Sequence, residues 1–187
     1  MQAIIRETLA SALLKLPALV DAYQQRDPLF ATQAIHWLGE LEKAMQQLRL
    51  PLAAMLAGER AKVLAVNDGY RDPLLPGERL SSRKAQAATA SLALNQAQDE
   101  ARRMIAGIDA QFDLWREKLA QFLAIATQKT PIPLPPTEPR EAWLATVWRQ
   151  LDVNGDTQGM YRYLNAALPA SDRLYLLNEL LTNLLGV

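Results

Sequence analysis

In 187 residues the chain has no cysteine and one histidine, and these two shortages remove most familiar catalytic constellations. Without cysteine there is no disulfide, no thiolate metal site and no cysteine nucleophile. The same absence fits a reducing compartment. The opening stretch MQAIIRETLASALLKLPALV carries Arg6, Glu7 and Lys15 among its apolar residues, so it does not read as a signal peptide, and a cytoplasmic location is expected. The lone histidine, His36, has no second histidine to form an HExxH pair and no recognisable nucleophile, so it reads as an ordinary helix residue. Glycines number only 8, and LLPGERLSSRK lacks the GK[ST] ending of a phosphate loop. No uninterrupted apolar run approaches the roughly 20 residues of a membrane span, so no membrane partner is expected.

Charge of one sign is also missing. Lysine plus arginine and aspartate plus glutamate number 20 each, which leaves no global basic field to draw the chain to nucleic acid. The acidic residues form no convincing metal or acid–base set. Glu40 and Glu42 point in different directions on a helix, and Asp99 and Glu100 are adjacent. Asp109 and Asp113 share a face but have no ExxH or ExxE companion. DVNGDTQGMYRY begins like a calcium loop at Asp152, Asn154 and Asp156. It then places Thr157 where the loop needs glycine and Tyr163 where it needs a closing glutamate, so it reads as a polar turn. No cofactor, no metal and no enzymatic activity are expected.

What the chain does have is hydrophobic content, 50 % of its residues, arranged at helical spacing. Ile5, Leu9, Leu13, Leu16 and Leu19 mark one apolar face, with a kink or break expected near Pro17. Asp27 and Pro28 start a second helix through Phe30, Ala34, Trp37, Leu38, Leu41 and Met45, which Pro51 bends or splits. VNDGYRDPLLPGE is the clearest loop. From Ser82 to Gln128 only Gly107 weakens a continuous helix, which would be a rod of roughly 70 Å. Its seam is alanine-rich first, at Ala87, Ala90, Leu94, Ala97 and Ala101. It turns aromatic later, at Phe112, Trp115, Leu119 and Phe122. After it, QKTPIPLPPTEPRE holds five prolines and reads as an extended linker.

The expected fold is therefore all-α: an elongated antiparallel helical bundle with one very long helix (about 82–128) and a small C-terminal three-helix unit. The expected divisions are a bundle at 1–128, a proline-rich linker at 129–139 and a short-helix unit at 140–187. An alanine seam left open at the end of the long helix would pair with a second copy, which points to a homodimer.

Two surfaces stand out. Arg71, Arg79, Arg83 and Lys84 gather around the loop and the start of the long helix, where free N–H groups and the helix dipole favour an anion. Trp143, Trp148, Tyr161 and Tyr163 concentrate aromatic residues in the tail, as partner interfaces do; the competing reading is that they form the core of the C-terminal unit. The favoured function is a non-enzymatic helical adaptor or assembly subunit that mediates protein–protein interaction. The alternative is a nucleic-acid or phosphate-binding accessory protein that uses the basic loop at 71–84.

Overall fold

The computed structural model describes residues 1–75, 81–129, 131–132, 140–153 and 155–185. The protein is all-α, and no strand occurs among the described residues. The helices are α1 (Gln2–Leu13), α2 (Leu16–Gln24), α3 (Phe30–Gln47), α4 (Leu52–Ala65), α5 (Ser82–Lys129), α6 (Arg140–Val153), α7 (Gln158–Ala167) and α8 (Ala170–Leu185). None of the described helices is long and apolar enough to cross a membrane.

Proline sets the first breaks. Pro17 lies in the opening turn of α2, so the chain breaks at Leu14 and Lys15 instead of merely kinking. Asp27 shapes the turn ahead of α3, its Oδ1 accepting the Leu29 N–H at 2.8 Å, but the helix starts only at Phe30 and has no side-chain cap, so the expected start at Asp27 and Pro28 shifts by two residues. Pro51 splits α3 from α4, and the turn before it passes through Arg49 at φ 56°, a left-handed position that closes the end of α3. The Leu50 N–H then reaches back to the Met45 carbonyl at 2.9 Å.

The chain forms two compact units, Ile5–Ala106 and Gly107–Val187 with Met1–Ile4. In the first, α2 packs against α3 and α3 against α4. Trp37, Leu38, Leu41 and Met45 of α3 and Leu52, Leu56 and Val63 of α4 are buried. The Trp37 indole N–H is not lost inside, because it donates to the Ala12 carbonyl at 3.0 Å. The alanine seam of α5 is covered within the chain: Ala90, Ala97 and Ala101 are 0 % exposed. Over that stretch the seam is not open to a second copy, because small side chains let neighbouring helices of the same chain approach it closely, whereas Ala87 at its start is only half-buried.

Two charged ties run beneath this apolar packing. Arg60 of α4 donates to Glu42 of α3 at 2.8 Å, and Lys62 donates to Glu59 at 2.6 Å. Gln96 of α5, with its amide nitrogen turned toward Glu59, reaches both carboxylate oxygens at 2.7 and 2.8 Å. Each buried carboxylate is thus hydrogen-bonded, which is the condition for tolerating it at all.

In the second unit, the later half of α5 combines with α6, α7 and α8, and α6 contacts both α7 and α8. Phe112 meets Tyr175 and Phe122 meets Trp148, with ring centroids 5.5 and 6.1 Å apart. The compact units therefore divide inside α5, between Ala106 and Gly107, and not at the proline-rich stretch. The reason lies in the seam: where it changes from alanine to Phe112, Leu119 and Phe122, it needs thick apolar neighbours, and the C-terminal helices provide them. The expected linker at 129–139 falls largely outside the described residues.

Candidate functional site

The basic loop is shaped from inside by an acid. After α4, a short 3-10 turn at Val66–Asp68 ends at Gly69, whose φ of 93° suits glycine. Asp72, a buried side chain, then folds the loop back by accepting the Leu74 N–H at 2.9 Å. Arg71, Arg83 and Lys84 are all exposed, and none is ion-paired among the described residues. Arg79 lies outside the described residues, as does Glu78, so the four-residue basic group is seen only in part.

The tail aromatics separate into interior and surface. Trp143 and Trp148 are each 6 % exposed, and Leu144, Val147 and Leu151 of the same helix are buried with them. As surface anchors for a partner these two tryptophans are corrected: α6 lies against α7 and α8 and uses its aromatic face as core. The Trp148 indole N–H donates to Asn165 at 3.2 Å, which satisfies its polar edge inside the unit. Tyr161 is half-buried with its ring 5.4 Å from that of Trp148, and Tyr163 is 47 % exposed.

Tyr163 has neighbours that the sequence did not single out. Trp115 of α5 lies 6.0 Å from it, ring to ring. Lys118 sits 4.9 Å from the Trp115 centroid and 5.3 Å from that of Tyr163, and its Nζ donates to the Tyr163 hydroxyl at 3.3 Å. Trp115 fits the helical stripe and so reads as core; the signal that could have revealed it is Lys118 three residues on, where a cation reaches the same helix face. Leu114, next to Trp115 in the chain, is 65 % exposed.

Electrostatics in this unit centre on α8. Glu179 receives both oxygens' worth of hydrogen bonding from Arg116, at 2.9 and 3.0 Å, while Arg116 also pairs with Asp113. These bonds, Glu179 first, outweigh burial and raise the guanidinium above its ordinary value. Asp172 is 0 % exposed and accepts from the terminal ammonium of Met1 and from the Gln2 and Ala3 N–H groups, each of the latter at 3.0 Å. Burial pushes its carboxyl up, but the ammonium and the two backbone donors together hold it below the ordinary aspartate value. Arg173 goes the other way: burial pulls its guanidinium below the usual arginine value, with Tyr161 opposing.

Elsewhere His36 is an exposed side chain 3.4 Å from Glu40, and Lys15 donates to the same carboxylate at 3.2 Å. The Lys15 bond and charge, with His36 adding to them, lower Glu40 from its ordinary value. Among the described residues no group of three histidine, aspartate or glutamate side chains is arranged to hold a metal ion. Asn154 of the expected calcium-like turn lies outside the described residues, and Thr157 faces inward, its hydroxyl donating to the Leu151 carbonyl at 2.7 Å. Compared with protein-family models, with curated proteins and with solved structures, the chain matches none.

Proposed function

We propose that the chain is a non-enzymatic, cytoplasmic helical adaptor or assembly subunit, and that its C-terminal unit meets a protein partner through the surface around Tyr163. The observation that carries this reading is the group formed by the exposed Tyr163 and Lys118 against the half-buried Trp115. Large rings with polar tips bury much area on binding and lose little side-chain freedom, which is why they recur at interfaces. Tyr163 takes the role that Trp143 and Trp148, held in the core, leave open. Self-association remains part of the proposal, but it needs exposed apolar residues such as Leu14, Leu29 or Leu114 in place of the alanine seam.

The test is a photoreactive amino acid placed at position 163, with a second at the exposed Gln121 of α5 as the control. A discrete cross-linked species at 163 and none at 121 supports the reading, and its mass separates a second copy from a different protein. Equal labelling at both positions, or none at either, rejects it.

A second reading keeps some support from Arg71, Arg83 and Lys84, which are exposed and without carboxylate partners among the described residues. It makes the chain a nucleic-acid or phosphate-binding accessory protein. Binding to a labelled oligonucleotide should then weaken steeply between low and physiological salt, with a slope that falls when Arg83 and Lys84 are replaced by glutamine. Binding that ignores salt removes this reading.

A further inference from the structure

Among the described residues, three half-buried cations have counter-charges at close range. Arg60 has Glu42 at 2.8 Å, Lys62 has Glu59 at 2.6 Å and Arg116 has Glu179 at 2.9 Å. Arg173 is half-buried too, yet among the described residues its side chain has no ion pair and no hydrogen bond. Its nearest acidic neighbour in sequence, Asp172, is engaged by Met1, Gln2 and Ala3.

The guanidinium is nevertheless held in place. Its central carbon lies 5.3 Å from the centroid of the Trp148 ring, and that ring is itself fixed by Tyr161 at 5.4 Å and by the bond from its N–H to Asn165. Nε and Nη1 are enclosed without an acceptor, and Nη2 is the guanidinium nitrogen that is not so enclosed. An arginine cannot shed its proton to escape this situation. Enclosed donors have lost water and gained nothing, so the charge sits in a setting where an arriving anion is attracted with little screening. The stacked ring keeps the fork oriented, so binding would freeze few further torsions.

We propose that Arg173 anchors a carboxylate-binding site on the C-terminal unit, with the anion received at Nη2 and the guanidinium backed by Trp148. A carboxylate is the matching class because a single cation with one open corner suits a single negative charge, whereas a phosphate dianion calls for more donors than this corner offers. The carboxylate comes either from an acidic side chain of a protein partner or from a small organic acid. The site does not depend on the adaptor reading, since the second source needs no protein partner.

The experiment follows two NMR signals in the whole chain: the Arg173 Nε–Hε signal, assigned by its loss in Arg173→Gln, and the Trp148 indole N–H signal, which persists in the Arg173 variants and reads their affinity. The probes are sodium succinate, a hexaglutamate peptide and sodium phosphate, each against sodium chloride at matched ionic strength. The expected result is a saturable shift with succinate or hexaglutamate, and affinity reduced by about tenfold or more in Arg173→Gln. Response to hexaglutamate alone assigns the site to an acidic protein segment, and response to succinate alone assigns it to a small acid. Absence of a saturable shift in the wild type overturns the proposal, as does a tighter response to phosphate than to either carboxylate. Affinity retained in Arg173→Gln also overturns it. If Arg173→Gln fails to fold, Arg173→Lys keeps the charge and loses the planar fork, and unchanged affinity in that variant overturns the proposal.

Discussion

Replacing Asp172 by asparagine keeps the size of the side chain and removes its charge, at a position that is 0 % exposed. Three donors converge there: the Met1 ammonium and the Gln2 and Ala3 N–H groups, so one carboxylate of α8 caps the start of α1 from the far end of the sequence. A hydrogen bond to a charged group contributes about 1.5–3 kcal/mol, and donors sharing one acceptor do not add. Breaking a fully buried pair costs about 3–5 kcal/mol, and since the Met1 end of this one is 69 % exposed, a loss of at most about 3 kcal/mol is expected. For a chain of this length melting as one that corresponds to about 6–12 °C in the melting temperature. The pH dependence has a definite sign. The folded-state carboxyl is held below its ordinary value, so its stabilisation is fully present above the unfolded value of about 3.9 and is lost as pH falls through the folded value. The wild type should therefore weaken below about pH 4, and Asp172→Asn should lose that part of the acid limb. Melting curves at neutral and acid pH, with amide exchange read at Gln2 and Ala3, are the assay. A loss under about 1 kcal/mol together with unchanged protection of those two amides would show that Asp172 does not hold the start of the chain.

Thr89 is 1 % exposed and its hydroxyl has no hydrogen-bond partner, so Thr89→Val should stabilise the first unit by about 1 kcal/mol, read as a higher denaturant midpoint; a lower midpoint would mean the hydroxyl is paired. Arg116 and Glu179 are each about one-third exposed, so screening limits their pair, and a double-mutant cycle with Arg116→Met and Glu179→Gln should return a coupling of roughly 1 kcal/mol. A coupling indistinguishable from zero would remove the pair as a tie between α5 and α8. Trp148→Ala should cost about 3–5 kcal/mol and unfold the second unit first, whereas Tyr163→Ala should change stability by less than about 1 kcal/mol, both followed by urea titration; equal effects would contradict the division into core and surface.

The helices were readable because their signals are local. Pro17, Asp27 and Pro51 act on the residues beside them, and the resulting breaks fall within a few positions of where the chain itself places them. The long helix was readable for the same reason, since nothing between Ser82 and Lys129 competes with it. The surfaces were less readable, because exposure depends on partners distant in sequence. Trp143, Trp148 and Tyr163 have similar composition around them, and only the packing of α6 against α7 and α8 puts two inside and one outside. Arg173 escaped notice because an unpaired arginine looks no different in sequence from a solvated one.

The long helix shows the same limit at larger scale. A stripe of small residues states that something approaches closely, but it does not state whether the neighbour belongs to the same chain. Ala90, Ala97 and Ala101 have that neighbour within the chain, so their burial already contributes to the stability of one molecule. A second copy docking there would first have to remove what covers the stripe, exposing apolar surface on both partners before any was buried between them. Residues that stay exposed after folding incur no such penalty. Association should therefore be sought at exposed side chains such as Leu114 and Tyr163, where contact buries surface that folding of the single chain has left open.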